Sequence, residues 1–392
     1  MLKTGRSGTC PTTLLFLLQI CVIALTAQVF GSIFRRLGQP KVVGEMFAGV
    51  ALGPSLLGWM APGAFQALFP ESSLALLNVI GQLGLVFYMF LVGMTLNVEH
   101  LREQGRVALA ASIASIAVPF VSGFALAMAL YHQVPLALFL AVCMSVTAFP
   151  VLARILDETG LRETKLGAVA VACAAFGDVI AWLLLAAILA FSSALRTMNL
   201  LAIYVVAMLV IRMFWKSRNL AAALIFAIAS SVATDWIGVH ALFGAFFAGA
   251  IIPKTQEFVE ETRRVIEPLT MILFLPVFFA YTGLRTQMQL AWGKEALFIL
   301  AVAVAGKWLG AMLAARWAGM SSRESNALGI LMNARGLVEL VILSIGFDLR
   351  ILTPAIFSTM VLMALVTTLM TAPLVRRVYS SAGVYRSSSA GS

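Results

Sequence analysis

At 392 residues, 61% of them hydrophobic and only 11% charged, and with a mean hydropathy of +0.99, the chain carries more apolar surface than a water-soluble core hides. It reads as an all-α polytopic membrane protein, with too little polar sequence left over for a separate catalytic or nucleotide-binding domain. The formal charge of +10 is spread through short connections between apolar runs, a pattern that orients a chain in a membrane and argues against nucleic acid as a partner.

Taken in chain order, apolar runs separated by polar breaks give thirteen candidate spans. They cover 14–34, 42–57, 74–97, 107–131, 136–156, 166–191, 200–214, 220–236, 241–252, 268–284, 296–318, 327–347 and 356–374. The first is too long for the apolar core of a signal peptide, and no clear small-residue cleavage site follows it, so it counts as a span. The fifth holds Ser145-Val-Thr-Ala-Phe-Pro150 at mid-depth. Pro150 removes a backbone donor there, so the helix is expected to break. The mixed-sign stretch 257–267 before the tenth span reads as a solvated connection. The twelfth carries Met332-Asn-Ala-Arg-Gly336 at a depth comparable to the break in the fifth. Cys10, Cys21, Cys143 and Cys173 show no CxxC spacing, so they read as packing residues, with no disulfide framework, zinc site or cofactor implied.

Assigning alternate connections to opposite sides puts nineteen Lys and Arg on one face. The other receives six: Lys3, Arg6, Arg196, Arg285, Lys294 and Arg350. The richer face is cytoplasmic by the positive-inside rule, so the N-terminus lies outside and the C-terminus inside. The serine-rich residues 379–392 read as a short disordered cytoplasmic tail, with no ligand-gating domain after the last span. An internal repeat is also visible. Gly44-Glu-Met-Phe-Ala-Gly49 matches Gly244-Ala-Phe-Phe-Ala-Gly249, and Phe87 to Met94 resembles Phe278 to Leu284. The matched spans lie seven apart, an odd number, so the two copies, about 14–191 and 220–374, have opposite orientations. Such inverted repeats build secondary transporters whose sites sit at the repeat interface.

A charge deep in the bilayer costs about 2.5 to 3.5 kcal/mol on insertion scales, which makes each one inside a span a functional candidate. Glu45, Asp178, Asp235, Lys307, Arg335 and Glu339 qualify. Some such charges only lock helices together as ion pairs. Asp178, however, has about a dozen apolar neighbours in sequence on either side, and a carboxyl so placed is suited to reversible protonation. Lys307 is equally central. Glu339 follows Arg335 by four residues, a spacing that permits a pair on one helix face. Asp235 and His240 bracket the short connection between spans eight and nine and are candidates for a pathway lining or for plain hydration. Glu45 is as compatible with an interfacial position as with a buried one. An intramembrane aspartyl protease is set aside: Gly177-Asp178 follows Ala175 where a GxGD signature needs Gly, no Tyr-Asp pair is present, and the three histidines form no HExxH motif.

Gln39-Pro-Lys-Val-Val-Gly-Glu45, Gly53-Pro-Ser-Leu-Leu-Gly58, Thr147-Ala-Phe-Pro-Val-Leu-Ala-Arg154, Gly177-Asp178, Lys307 and Asn333-Ala-Arg-Gly-Leu-Val-Glu-Leu340 together resemble the membrane domain of the monovalent cation:proton antiporters over about residues 10–378. The resemblance implies a thirteen-helix fold with inverted-topology repeats, a dimerisation domain and a moving core in which two broken helices cross. It also implies a homodimer in a bacterial inner membrane that exchanges Na+ or K+ for H+ by alternating access. By the same resemblance, Asp178 is the carboxylate at which cation and proton compete, Thr147 lines the crossing point and shares the monovalent cation, Lys307 is the core lysine, and Arg335 sits in the second broken helix. Many relatives carry Asp or Asn where this chain has Gly177, so Lys307 must pair with Asp178, with another acid or with helix-end carbonyls. A sodium-coupled organic anion symporter of the same fold is the alternative; Lys307 and Asp178 at one repeat interface favour the exchanger.

Overall fold

The computed structural model describes residues 12–95, 105–162, 164–190, 194–215, 219–238, 240–253, 255–291 and 293–379. Of the residues named above, Lys3, Arg6 and Cys10 lie outside these, as do Arg102, Lys216, Arg218, Lys254 and Arg386, which belong to the nineteen basic residues of the richer face, and the tail from residue 380. Among the described residues the chain is helical, without strands. Among the described residues, nine helical stretches are long and apolar enough to cross a bilayer, and three shorter apolar helices accompany them.

The first third of the chain forms α1 (Thr12–Arg36), α2 (Lys41–Leu52), two short helices α3 (Leu57–Met60) and α4 (Pro62–Leu68), then α5 (Glu71–Thr95) and α6 (Gly105–Tyr131). The apolar run expected at 136–156 is two helices, α7 (Val134–Ser145) and α8 (Phe149–Thr159), separated by extended residues 146–148. Pro150 sits in the first turn of α8, where a proline fits without losing a helical hydrogen bond. The break therefore precedes the proline, which starts the second half-helix. Gly160 closes α8 in the left-handed conformation, at φ 69°, as helix ends favour.

Next come α9 (Lys165–Ala190), α10 (Ala194–Phe214), α11 (Leu220–Ile237) and α12 (Ala241–Ile251). The Asn219 side chain caps α11 by accepting from the N–H groups of Ala221 and Ala222, which satisfies donors that a helix start leaves open. The mixed-charge stretch expected as a simple connection is itself a helix, α13 (Gln256–Leu269). Its charges stabilise it locally through an Arg263–Glu267 pair at 2.9 Å at the favourable i,i+4 spacing, while Phe258, Thr262 and Ile266 form its buried stripe. A single π-helical turn, Thr270–Phe274, leads into α14 (Leu275–Leu284).

The last third holds α15 (Lys294–Trp317), α16 (Ser322–Leu331), α17 (Leu337–Asp348) and α18 (Pro354–Val378). Ser321 and Glu324 form a reciprocal capping box that starts α16, a device that satisfies two open N–H groups at once. Residues 332–336 interrupt the run between α16 and α17, at the polar stretch singled out above.

These helices pack as two bundles. One comprises α6 to α9 and α15 to α18; the other is built on α1, α2, α5 and α10 to α14, and contact between the two is sparse. The second bundle is drawn together by glycines. A methyl group on Gly44 or Gly49 of α2 would collide with the carbonyls of Phe30 on α1 and Phe279 on α14. One on Gly244 or Gly249 of α12 would meet those of Ser230 on α11 and Phe90 on α5. Gly93 and Gly283 likewise press against the carbonyls of Phe246 and Gly49. Small residues that let helix backbones touch are how helices associate where lipid removes the hydrophobic drive.

Candidate functional site

The two interrupted helices meet at their breaks. The Thr147 hydroxyl donates to the Met332 carbonyl at 3.0 Å, and the Ala148 N–H donates to the Ala334 carbonyl at 2.9 Å. Gly336 permits the approach, since a Cβ there would lie 2.8 Å from the Val151 side chain on α8. Thr368 on α18 fixes the second break from behind, accepting from the Arg335 N–H at 2.9 Å and donating to the Arg335 carbonyl at 2.8 Å.

Each half-helix end faces a complementary charge. At the C-terminal end of α7, the carbonyls of Cys143 and Met144 accept from the Arg335 guanidinium at 2.7 and 2.8 Å, and the Ser145 carbonyl accepts from the Lys307 ammonium. Carbonyls left free at a helix end carry partial negative charge, so two cations are well placed there. Lys307 thus resolves its pairing through a helix-end carbonyl, with Asp178 and Glu339 within electrostatic reach. Glu339 lies in the first turn of α17 and pairs with Arg335 at 3.5 Å. Lys307, Arg335, Glu339 and Asn333 are all wholly buried.

Asp178 is the exception to this pairing. It is 2% exposed on α9, and its carboxylate faces the backbone N–H of Phe149, the first residue of α8, where a helix start favours an anion. Neither carboxylate oxygen forms a hydrogen bond. A buried, unpartnered carboxylate is costly, and a proton or a bare cation offsets that cost. Thr147 stands at the crossing with its proton committed to Met332, so its oxygen lone pairs stay open to a cation.

Of the other candidates, Glu45 is buried and pairs with Lys41 at 3.6 Å. His240 starts α12 and lines a small cavity between the bundles. Asp235, exposed near the end of α11, is not among the residues lining it. Sequence reasoning passed over Tyr88, whose buried hydroxyl on α5 has no hydrogen-bond partner and lies within electrostatic reach of Asp178. Its signal was a lone phenol in the repeated Phe87 to Met94 stretch. The Ser145 carbonyl was also passed over, since backbone groups leave no trace in composition.

Comparison with known proteins agrees with this architecture. The chain is 39% identical to the Na(+)/H(+) antiporter NhaS4 of Synechocystis sp., over 94% of this chain and 98% of that protein. It is 34% identical to K(+)/H(+) antiporter 1 of Saccharomyces cerevisiae, over 93% of this chain but only 46% of the yeast protein. The fold superposes on the sodium proton antiporter MjNhaP1 from Methanocaldococcus jannaschii with a TM-score of 0.66 at 14% identity, covering 95% of this chain and 98% of that one. Residues 21–377 match the family described as sodium/hydrogen exchanger, transmembrane; the chain is a multi-pass membrane protein and belongs to that family, one of transporters rather than enzymes.

Proposed function

We propose that the chain exchanges a monovalent cation, Na+ or K+, for H+ by alternating access, the two ions competing for Asp178. The observation that carries this reading is a buried carboxylate with no ion-pair partner, set beside two helix breaks whose other buried charges, Lys307, Arg335 and Glu339, are held by helix-end carbonyls or by each other. One carboxylate cannot hold both ions, so occupation by one expels the other, and this exclusion couples the two fluxes. The activities named for the cyanobacterial and yeast relatives support both the ion class and the exchange.

Thirteen spans in two inverted repeats fit the same reading. The matched glycines make matched contacts: α2 touches α1 and α14, while its counterpart α12 touches α11 and α5. Those pairs are the ones that an inversion of seven spans exchanges. The bundle of α6 to α9 and α15 to α18 then carries the site past the other bundle, with the N-terminus outside and the C-terminus in the cytoplasm.

The test is purified protein in proteoliposomes with a trapped pH dye. Added Na+ or K+ alone, without organic solute, should evoke a pH change; absence of any response to either cation at alkaline pH removes the exchange reading, and dependence on an organic anion replaces it with symport. Competition fixes the pH dependence. The half-saturating cation concentration should rise as pH falls, approaching about tenfold per pH unit once protons occupy the site. A value that stays constant from mildly acidic to alkaline pH contradicts competition at one carboxylate.

Thr147→Ala deletes a ligand but leaves the proton carrier. It should raise the half-saturating cation concentration about fivefold, the equivalent of about 1 kcal/mol, with maximal rate little changed. The Met332 carbonyl loses a hydrogen bond in the same variant, so Thr147→Ser, which keeps the hydroxyl, should restore affinity. A Thr147→Ala protein with unaltered half-saturation excludes the hydroxyl as a ligand.

A further inference from the structure

Where α5 and α14 of one bundle face α17 of the other, a cavity of about 20 Å³ remains, room for a single water and too little for a hydrated cation. Its lining is polar for a protein interior at this depth. Asn78 and Gln82 line it from α5, His240 from the start of α12, and Ser344 and Asp348 from α17. Inward of these polar residues α17 presents Val341 and α5 presents Leu85. The Ser344 hydroxyl also lacks a partner. Polar side chains from both bundles thus line the mouth of one seam between them, and Leu85, Phe278 and Val341 close it on the inner side.

The mouth of this seam is bolted. Arg285 follows directly on α14, and its guanidinium donates to the Asp348 carboxylate at the end of α17 at 2.5 Å. The same guanidinium lies 5.0 Å from the centre of the Tyr281 ring on its own helix and 4.4 Å from that of Phe347 on the facing one. Arg285 is thereby held by an ion pair and a cation–π contact to α17 while belonging to the other bundle. Beside it the Gln287 N–H donates to the Ser358 hydroxyl of α18 at 2.9 Å, a single neutral bond that can re-form with water. A planar guanidinium suits a place that needs both a carboxylate and a ring face.

We propose that Arg285, gripping Asp348 and Phe347, is the clamp that closes the mouth of the seam between α5 and α17 on one face of the membrane. The arrangement assigns Asp348 two successive partners. It holds Arg285 while the seam is shut, and when the bundles part it presents a carboxylate to an arriving monovalent cation. This inference rests on the alternating-access reading above. The distribution of basic residues assigns this face to the outside, with Arg285, Lys294 and Arg350 on the poorer side of the count.

The test uses the full chain in proteoliposomes of one orientation and a positively charged, membrane-impermeant methanethiosulfonate as probe. Ser344→Cys places a thiol in the seam, and the chain without that substitution supplies the blank for the native cysteines. Labelling should be slow with the clamp intact and faster by about fivefold when Arg285→Gln or Asp348→Asn releases it, the size expected of one exposed ion pair with a ring contact. It should proceed from the Asp348 face only, and labelled protein should lose exchange. The reversed pair Arg285→Asp with Asp348→Arg should slow labelling again, which separates loss of the clamp from loss of the fold. Unchanged labelling in both single variants overturns the clamp. Equal labelling from both faces, or full exchange after complete labelling, overturns the placement of the clamp over the working seam. If labelling follows the clamp yet the unlabelled protein moves no ions, the seam and clamp stand and the exchange reading falls.

Discussion

Asp178→Asn should abolish exchange in the pH-dye assay, to the level of empty liposomes, while the protein inserts in normal amount and unfolds at a temperature equal to or above that of the unaltered chain. The two halves of this expectation have one cause. The carboxylate is buried and has no ion-pair partner, so as an anion it is a burden on the fold that the Phe149 N–H and Lys307 offset only in part. Asparagine keeps its volume and removes the charge, which relieves the burden. The amide also neither takes up a proton in the working range nor offsets the dehydration of a cation, so the coupling vanishes with it. Gain of stability together with loss of function is the mark of a residue kept strained for its task. Clear residual exchange in Asp178→Asn at normal expression would remove Asp178 from the mechanism, and a large loss of thermal stability would give it a structural role instead.

Arg335→Gln should do the reverse and damage the fold. Its guanidinium is the partner of two α7 carbonyls and of Glu339, all away from water. Removing it strands a buried carboxylate and uncovers a helix end, a loss that breaking a buried pair puts at about 3 to 5 kcal/mol. Thermal unfolding in detergent, followed by intrinsic fluorescence, should show a markedly lower midpoint. The double variant Arg335→Gln with Glu339→Gln should recover much of the loss, because the second substitution discharges the stranded acid. If the double variant is as unstable as the single one, the Glu339 charge is not what Arg335 neutralises, and the carbonyls of Cys143 and Met144 are its whole purpose.

What the sequence disclosed followed from rules of local cost. A charge amid apolar residues, as at Asp178 and Lys307, is expensive wherever it folds, so it was visible without coordinates. The break in the fifth apolar run was visible because proline cannot continue a helix from before it. The break falls within that stretch, at residues 146–148, and Pro150 then opens α8. The 257–267 stretch was read by its charges as a connection. Its helix comes from pairing Arg263 with Glu267, a spacing the sequence does contain, and from the three-residue stripe buried beneath, whose burial depends on a neighbour that the sequence alone does not supply. The Ser145 carbonyl under Lys307 and the Arg285 clamp were out of reach for a different reason. Each joins segments more than 60 residues apart, and the first involves a backbone atom that every residue possesses.

The glycine contacts of α2, α5, α12 and α14 bear on where this molecule yields. Side chains between helices act as springs, since rotamers change and methyl groups slide. Where backbone rests on backbone, as at Gly49 against Phe279 and Gly249 against Phe90, there is no such compliance, and displacement costs energy steeply from the first fraction of an ångström. That bundle is therefore stiff, and strain applied anywhere on it passes through undiminished to its boundary with the other. Thermal energy is left to act on the thinly joined surface between the two. On the alternating-access reading proposed above, a chain built in this way concentrates its motion into one plane of slip, and an enlarged residue at any of these glycines would soften the frame against which that slip takes place.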